Sequence, residues 1–402
     1  MEGSPEGGGA ESSDADSMLE SMVEAAGRLE IDETGAMDFH GHSSSIAFLS
    51  HLRSNFQRVL GEDITTSIKS TAFPKATPPG AIRKPTMTSP LPTREVATVL
   101  VDSCLEDACV LMRFVHRPSF DEMFARIYNV PEIEWGQRER DFLPLLYEVM
   151  AVGCLFADDV GDMGVGHSIA EGLVISSQSV TPVTDSMFST KYFLAGREMI
   201  ELTDCRTIPT IQAVILMAIF LQSSTKMSTC YSYVGIALCA AVRMGLHRSM
   251  NLNLNPIERE VRKRIFWVIR KMDTYVTALL GLPKGIADED IDQEMPLDVD
   301  DEYITETEIK EQPQGTVSIM TVVNAHTKLL SIMAKVVKAI YPLKQGCVSG
   351  GGGYAVSFAS IREIENDLRK WNDALPGGLA PDEQSPQNYR KCVSVGPLSP
   401  SF

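Results

Sequence analysis

The chain has 402 residues, 44% of them hydrophobic, and carries 53 Asp and Glu against 36 Lys and Arg, for a formal net charge of −17. That length suits one large helical domain with tails, or two ordinary domains, and the apolar share supplies a sizeable core. The acidic balance argues against a chain that grips a phosphate backbone, and no stretch reads as a secretory leader or a membrane span.

Residues 1–40 form an acidic, low-complexity segment in which Arg28 is the sole Lys or Arg. Ordering it costs more than its few apolar groups return, so a disordered tail is expected, with Met18, Leu19, Met22, Val23 and Leu29 available for a short helix on a coactivator. Residues 41–70 read as an entry segment, where Ser43 to Ser45 cap a helix with an apolar face of Ile46, Phe48, Leu49, Leu52 and Phe56. His40, His42 and His51 lie in this turn without the Cys or carboxylate partners of a metal site. Residues 71–93, rich in Pro, Ser and Thr, make a linker.

A helical domain is expected over residues 94–385, with its core at 190–300. An apolar helix leads into His116-Arg117-Pro118-Ser119-Phe120, where Pro118 ends the helix, Ser119 caps the next one, and His116 bonds to backbone. Phe120, Phe124 and Ile127 then dock the second helix. A third helix contains Gly153, which allows close packing, and ends in Asp158-Asp159-Val160-Gly161-Asp162. Those three carboxylates spell a magnesium–diphosphate motif of all-helical enzymes. The second metal-binding motif such enzymes need does not occur, and Gly161, Gly164 and Gly166 mark a loop.

The most informative stretch runs from Ile208 to Pro296. Pro209 opens a helix that is apolar almost all round, at about 14 residues too short to span a membrane. The next helix, about Thr229 to Met244, places Gly235, Ala237, Ala240 and Ala241 on one side for close approach of a neighbour, and Gly245 stops it. Asn255 and Pro256 start a third, with Glu258 and Glu260 in the first turn and Val261, Ile265, Val268, Ile269, Met272, Tyr275, Val276 and Leu279 at helical period, until Gly281 and Pro283 end it. An acidic run follows from Asp288 to Glu302. Counting twelve positions from Asp288 puts Gln293 where a calcium loop needs Gly and Val299 where it needs Glu, so this run reads as a solvated loop, its first acids facing Arg259, Arg262 or Arg264. A structural salt-bridge role is favoured for Arg262, Lys263 and Arg264 over a nuclear signal. Beyond a polar joint come a helix over about Val317 to Ile340, a loop with glycines 350–353, a helix ending near Trp371 and a disordered tail at 386–402.

Gly235-x-Ala237, Ala241, Gly245-Leu246-His247-Arg248, Glu260-x-Arg262-x-Arg264-x-Phe266-Trp267, Asp273, Gly281-x-Pro283 and Asp288-x-Asp290-Ile291-Asp292 with Pro296 resemble the fungal-specific transcription factor domain. This is the middle homology region of fungal zinc-binuclear-cluster regulators. Leu282 and Thr274 depart from it, since arginine is usual at both places. The resemblance extends to the entry segment, the His116–Phe120 turn and the Trp371-x-x-x-Leu375-Pro376 close. It implies an all-α multi-helix bundle or array and a nuclear regulator of RNA polymerase II transcription that modulates a zinc-cluster DNA-binding module. It further implies a homo- or heterodimer with a zinc-cluster regulator, and a coactivator or small-molecule effector as partner. The six-cysteine zinc cluster has no counterpart in this sequence: cysteines 104, 109, 154, 205, 230, 239, 347 and 392 are scattered and read as reduced core residues. No cofactor and no direct DNA contact are therefore expected of the chain itself. A helical interaction module or antagonist is the alternative, and a magnesium enzyme resting on Asp158, Asp159 and Asp162 is a remote one.

Overall fold

The computed structural model describes residues 28–31, 37–40, 90–157, 182–249, 253–313, 315–341 and 357–375. Contacts divide the chain into two compact units. One comprises Ala76–Asp273, Gly285–Thr327 and Leu375–Phe402; the other comprises Met1–Lys75, Thr274–Lys284 and Lys328–Ala374. The described residues are predominantly helical, as the sequence implies. The expected entry helix, the linker up to Ser89, the Asp158–Asp159–Asp162 motif and the glycine-rich run at 350–353 lie outside the described residues.

In the larger unit, α1 (Arg94–Asp102) buries Ala97, Leu100 and Val101. It does not continue to Pro118. At Ser103–Ala108 the backbone opens into a π-turn, closed by the Cys109 N–H bonding the Cys104 carbonyl at 2.9 Å. An extended turn then leads to α2 (Arg117–Asn129). Its N-cap is His116 and not Ser119: the His116 Nδ1 accepts the Ser119 N–H, and Pro118 sits in the first turn where it forfeits no bond. Phe120, Phe124 and Ile127 are buried as expected, with Phe120 5.0 Å from the ring of Phe142.

Helix α3 (Gln137–Phe156) is the hub, packing against α1, the π-turn, α2, α4 (Pro182–Glu198) and α5 (Ile208–Ser223). Every residue from Pro144 to Cys154 is buried. Its Gly153 meets α1 so closely that a Cβ would lie 2.1 Å from the Leu100 carbonyl oxygen. Helix α5, apolar on all sides, is buried from Ile211 to Leu221 and packs on both α3 and α6 (Met227–Arg243).

Helix ends follow one device. At α6, Gly245 takes φ +70°, its N–H bonds Val242 at 3.0 Å and the Leu246 N–H bonds Ala241 at 2.9 Å, satisfying two orphan carbonyls. Gly281 (φ +69°) ends α7 (Pro256–Leu280) with Leu282 bonding Thr277. Thr225 (φ +58°) ends α5 the same way, at the steric cost that a β-branched residue incurs there.

In the smaller unit, the second half of α8 (Ile319–Ile340) joins α9 (Phe358–Asp373) through a 2.6 Å Lys335–Asp367 ion pair, and Ser357 caps α9 by accepting the Ala359 N–H. The residues expected as a structureless tail include strands β1 (Arg28–Ile31) and β2 (Met37–His40), paired antiparallel with Arg28 opposite His40. The expectation for Gly235 also needs correcting: among the described residues outside its own helix, no atom lies within 4 Å of where its Cβ would be, while Ala237, Ala240 and Ala241 are the buried small residues.

These two glycines separate cleanly in stability. Gly153→Ala should cost about 3 kcal/mol or more, because the obstruction is backbone. Gly235→Ala should leave stability unchanged or raise it by about 0.5–1 kcal/mol. Urea unfolding of the two variants checks both.

Candidate functional site

The polar residues singled out from sequence converge on one construction within the larger unit. After α7 the chain doubles back, and residues Gly285 to Asp301 run as an acidic strap along the basic side of that helix. The first acids do not meet Arg259, Arg262 or Arg264. Asp288 pairs with Arg270, which also holds Asp273 at 3.2 Å. Asp273 in turn accepts the Gly285 N–H through both carboxyl oxygens at 3.2 Å, fixing the start of the strap.

Further along, Asp292 pairs with Arg248 at 3.0 Å, accepts the Ser249 N–H at 2.8 Å, and donates its own N–H to the His247 carbonyl at 3.3 Å. Gln293 donates to the Leu246 and Arg248 carbonyls at 2.8 and 2.9 Å. The strap thus completes the carbonyls that follow the Gly245 cap. Glu294 takes Lys263 at 2.6 Å through its side chain and the Trp267 indole N–H at 2.8 Å through its carbonyl. Arg262 faces the other way and donates to the Met244 carbonyl at 2.9 Å.

The tightest knot lies at the end of the strap. Arg264 is 1% exposed. Its guanidinium meets Glu260 at 3.4 Å, the Val299 carbonyl at 3.3 Å, and Asp301. Glu260, equally buried, accepts the Leu297 N–H at 2.8 Å. Asp301 also accepts the Arg117 N–H at 2.8 Å. Burial works against the Asp301 carboxylate, but the charge of Arg264 and the Arg117 N–H hold its pKa below the ordinary aspartate range. The His116 Nε2 lies 3.1 Å from the Asp301 carbonyl, which can only accept, so the ring carries its proton on Nε2. Nδ1 is then free to receive the Ser119 hydroxyl at 2.7 Å. His116 is the backbone-bonded turn histidine that the sequence suggests.

Asp300 next caps α8, accepting the Ser318 hydroxyl at 2.7 Å and the Ile319 N–H at 3.0 Å. Of the remaining motif positions, Asp290 is exposed in a 3₁₀ turn and Pro283 is exposed after the Gly281 cap.

Two buried groups drew no notice in the sequence. Lys271 is 2% exposed and donates to the Leu111 carbonyl, and desolvation brings its pKa down to about 7. Glu148, on the hub helix, is fully buried; neither carboxyl oxygen has a hydrogen-bond partner among the described residues, and burial pushes its pKa well above the usual value. The side chain packs on Gly196 of α4, where a Cβ would come within 2.5 Å of it. Both occupy helical positions where only their apolar neighbours signal burial.

The geometry describes an all-helical domain whose charged motif serves as scaffold, with Lys263, Arg264 and Arg270 of α7 turned to acids of the same unit and Arg262 and Lys271 to backbone carbonyls. Residues 105–373 match the fungal specific transcription factor domain, and the chain belongs to that family. It is 38% identical over 308 residues to the activator of stress genes protein 1 of Candida albicans, covering 73% of this chain and 30% of that protein. Similarity to the activator of stress genes 1 of Saccharomyces cerevisiae is 36% over 298 residues, 73% of this chain and 29% of that protein. The transcriptional activator protein acu-15 of Neurospora crassa is 30% identical over 174 residues, 43% of this chain and 18% of that protein. The chain therefore spans less than a third of the length of these relatives. No solved structure matches it. Among the described residues, no helix is long and apolar enough to cross a membrane.

Arg264→Met should cost about 3–5 kcal/mol, because it strands buried carboxylates, whereas Arg248→Met should cost no more than about 1 kcal/mol, since its pair is half-exposed. Chemical denaturation distinguishes them. Glu148 has the opposite sign. The unfolded carboxyl titrates near 4.5 and the buried one well above, so folding binds a proton in between, and stability falls as pH rises through that window. Relative to Glu148→Gln, the wild type should lose stability steadily as pH is raised from about 4.5, as read from melting curves across pH.

Proposed function

We propose that this chain is the helical regulatory domain of a fungal transcription regulator, acting in the nucleus on RNA polymerase II transcription. On this reading sequence-specific DNA contact is made outside these residues, by a zinc-cluster module of the same regulator or of a homo- or heterodimer partner. The chain itself takes neither metal nor substrate, and it conveys the state of a coactivator or small-molecule effector to that module.

One observation carries the division of labour. The basic string Arg262-Lys263-Arg264, the densest positive charge of the core motif, is engaged internally by the Met244 carbonyl, Glu294, and Glu260 with Asp301. Phosphate binding needs such groups free and outward. The net charge of −17 supports the same reading. Relatives named as activators of stress genes and as a transcriptional activator protein support the regulatory class.

The purified chain should enrich no sequence from a pool of random duplex DNA at either low or moderate salt. Recovery of a defined site at moderate salt would place DNA reading in the helical domain and overturn this division.

A further inference from the structure

The π-turn between α1 and α2 has a consequence for Cys104 and Cys109. In a regular α-helix two residues five apart point about 140° away from each other. Here the five-residue backbone bond from Cys109 to Cys104, 2.9 Å long, widens the turn and brings the two residues onto neighbouring positions of one face. Such π-turns are rare and gather at functional sites. Both cysteines are reduced and buried, at 0% and 2% exposure. Cys109 also lines a shallow pocket with Leu105, Met112, Arg113 and Phe114, and the Arg113 Nε there is buried without a hydrogen-bond partner. Cys109 thus borders this small pocket, with Cys104 directly behind it on the widened turn.

We propose that Cys104 and Cys109 form a dithiol site for a thiophilic trivalent metalloid, of the class represented by an organic arsenoxide. The reaction balances without an oxidant: two S–H bonds break, two arsenic–sulfur bonds form, and the arsenic-bound oxygen leaves with both protons as water. Burial, and then contact with Cys109, raises the Cys104 pKa well above the ordinary thiol value. A protonated thiol is a poor nucleophile toward a monofunctional alkylator. A reagent that gains two bonds at one centre is favoured by the pairing, since the second bond forms intramolecularly. A bridge here would fix the segment entering His116 and Arg117, which together hold the carbonyl and carboxylate of Asp301. The proposal stands independently of the regulatory reading above.

The test uses the full chain and phenylarsine oxide. Intact-mass measurement should show one phenylarsenic bridge per chain, formed with loss of one water, that survives a large excess of a monothiol and is removed by a dithiol. Peptide mapping of the wild-type adduct should place it on the fragment carrying Cys104 and Cys109. Cys109→Ala and Cys104→Ser should each lose the monothiol-resistant adduct, while Cys239→Ser, at an exposed cysteine, should keep it. Absence of a resistant adduct on the wild-type protein overturns the proposal, as does mapping to any other cysteine, and neither outcome depends on the variants folding.

Discussion

The burial of one guanidinium sets the architecture of the central motif. Removing Arg264 from water costs several kcal/mol unless its charge and donors are met. They are met by Glu260 one turn away, by the Val299 carbonyl and by Asp301. Two of those three partners sit on a segment that has left α7, passed the Gly281 cap and returned. The charge can be buried only if the strap is in place, and the strap is held because the charge is buried. The same contacts tie Asp301 to the Arg117 N–H and Glu260 to the Leu297 N–H, so the turn before α2 and the end of the strap share one ionic centre.

This coupling explains why residues that look like an acidic loop and a basic patch serve as neither. The carboxylates of Asp288, Asp292, Glu294 and Asp301 each take a cation. The exposed pairs contribute little individually; their effect is registration, as each fixes one point along the strap. The buried pair at the end supplies the energetic penalty for release. A chain of net charge −17 thereby engages its densest basic string internally, which is the observation behind the proposal that DNA contact lies elsewhere.

Much of the helical scaffold was legible because its signals are local. Asn255 accepts the Glu258 N–H at 2.7 Å, and the caps at Gly245 and Gly281 take positive φ, as their residue types suggest. The apolar all-round pattern of α5 correctly indicates burial. What escaped was non-local. Arg264 and Asp301 lie 37 residues apart, and no periodicity links them. Arg270 carried no motif signature, yet it anchors Asp288 and Asp273. The π-turn was invisible because a widened turn has no propensity of its own, so α1 looked continuous up to Pro118. Gly153 and Gly235 were read alike as places of close approach; only the packing tells that one faces a backbone carbonyl and the other open space.

Native-state hydrogen exchange at the Leu297 and Arg117 amides tests the strap most directly. Both N–H groups bond carboxylates of the buried centre, at Glu260 and Asp301. Protection approaching that of the α5 core amides is expected, because releasing either group requires exposing Arg264. Exchange at the rate of an open loop, with the α5 amides still protected, would mean that residues 285–301 detach freely and that the ionic centre does not organise the motif.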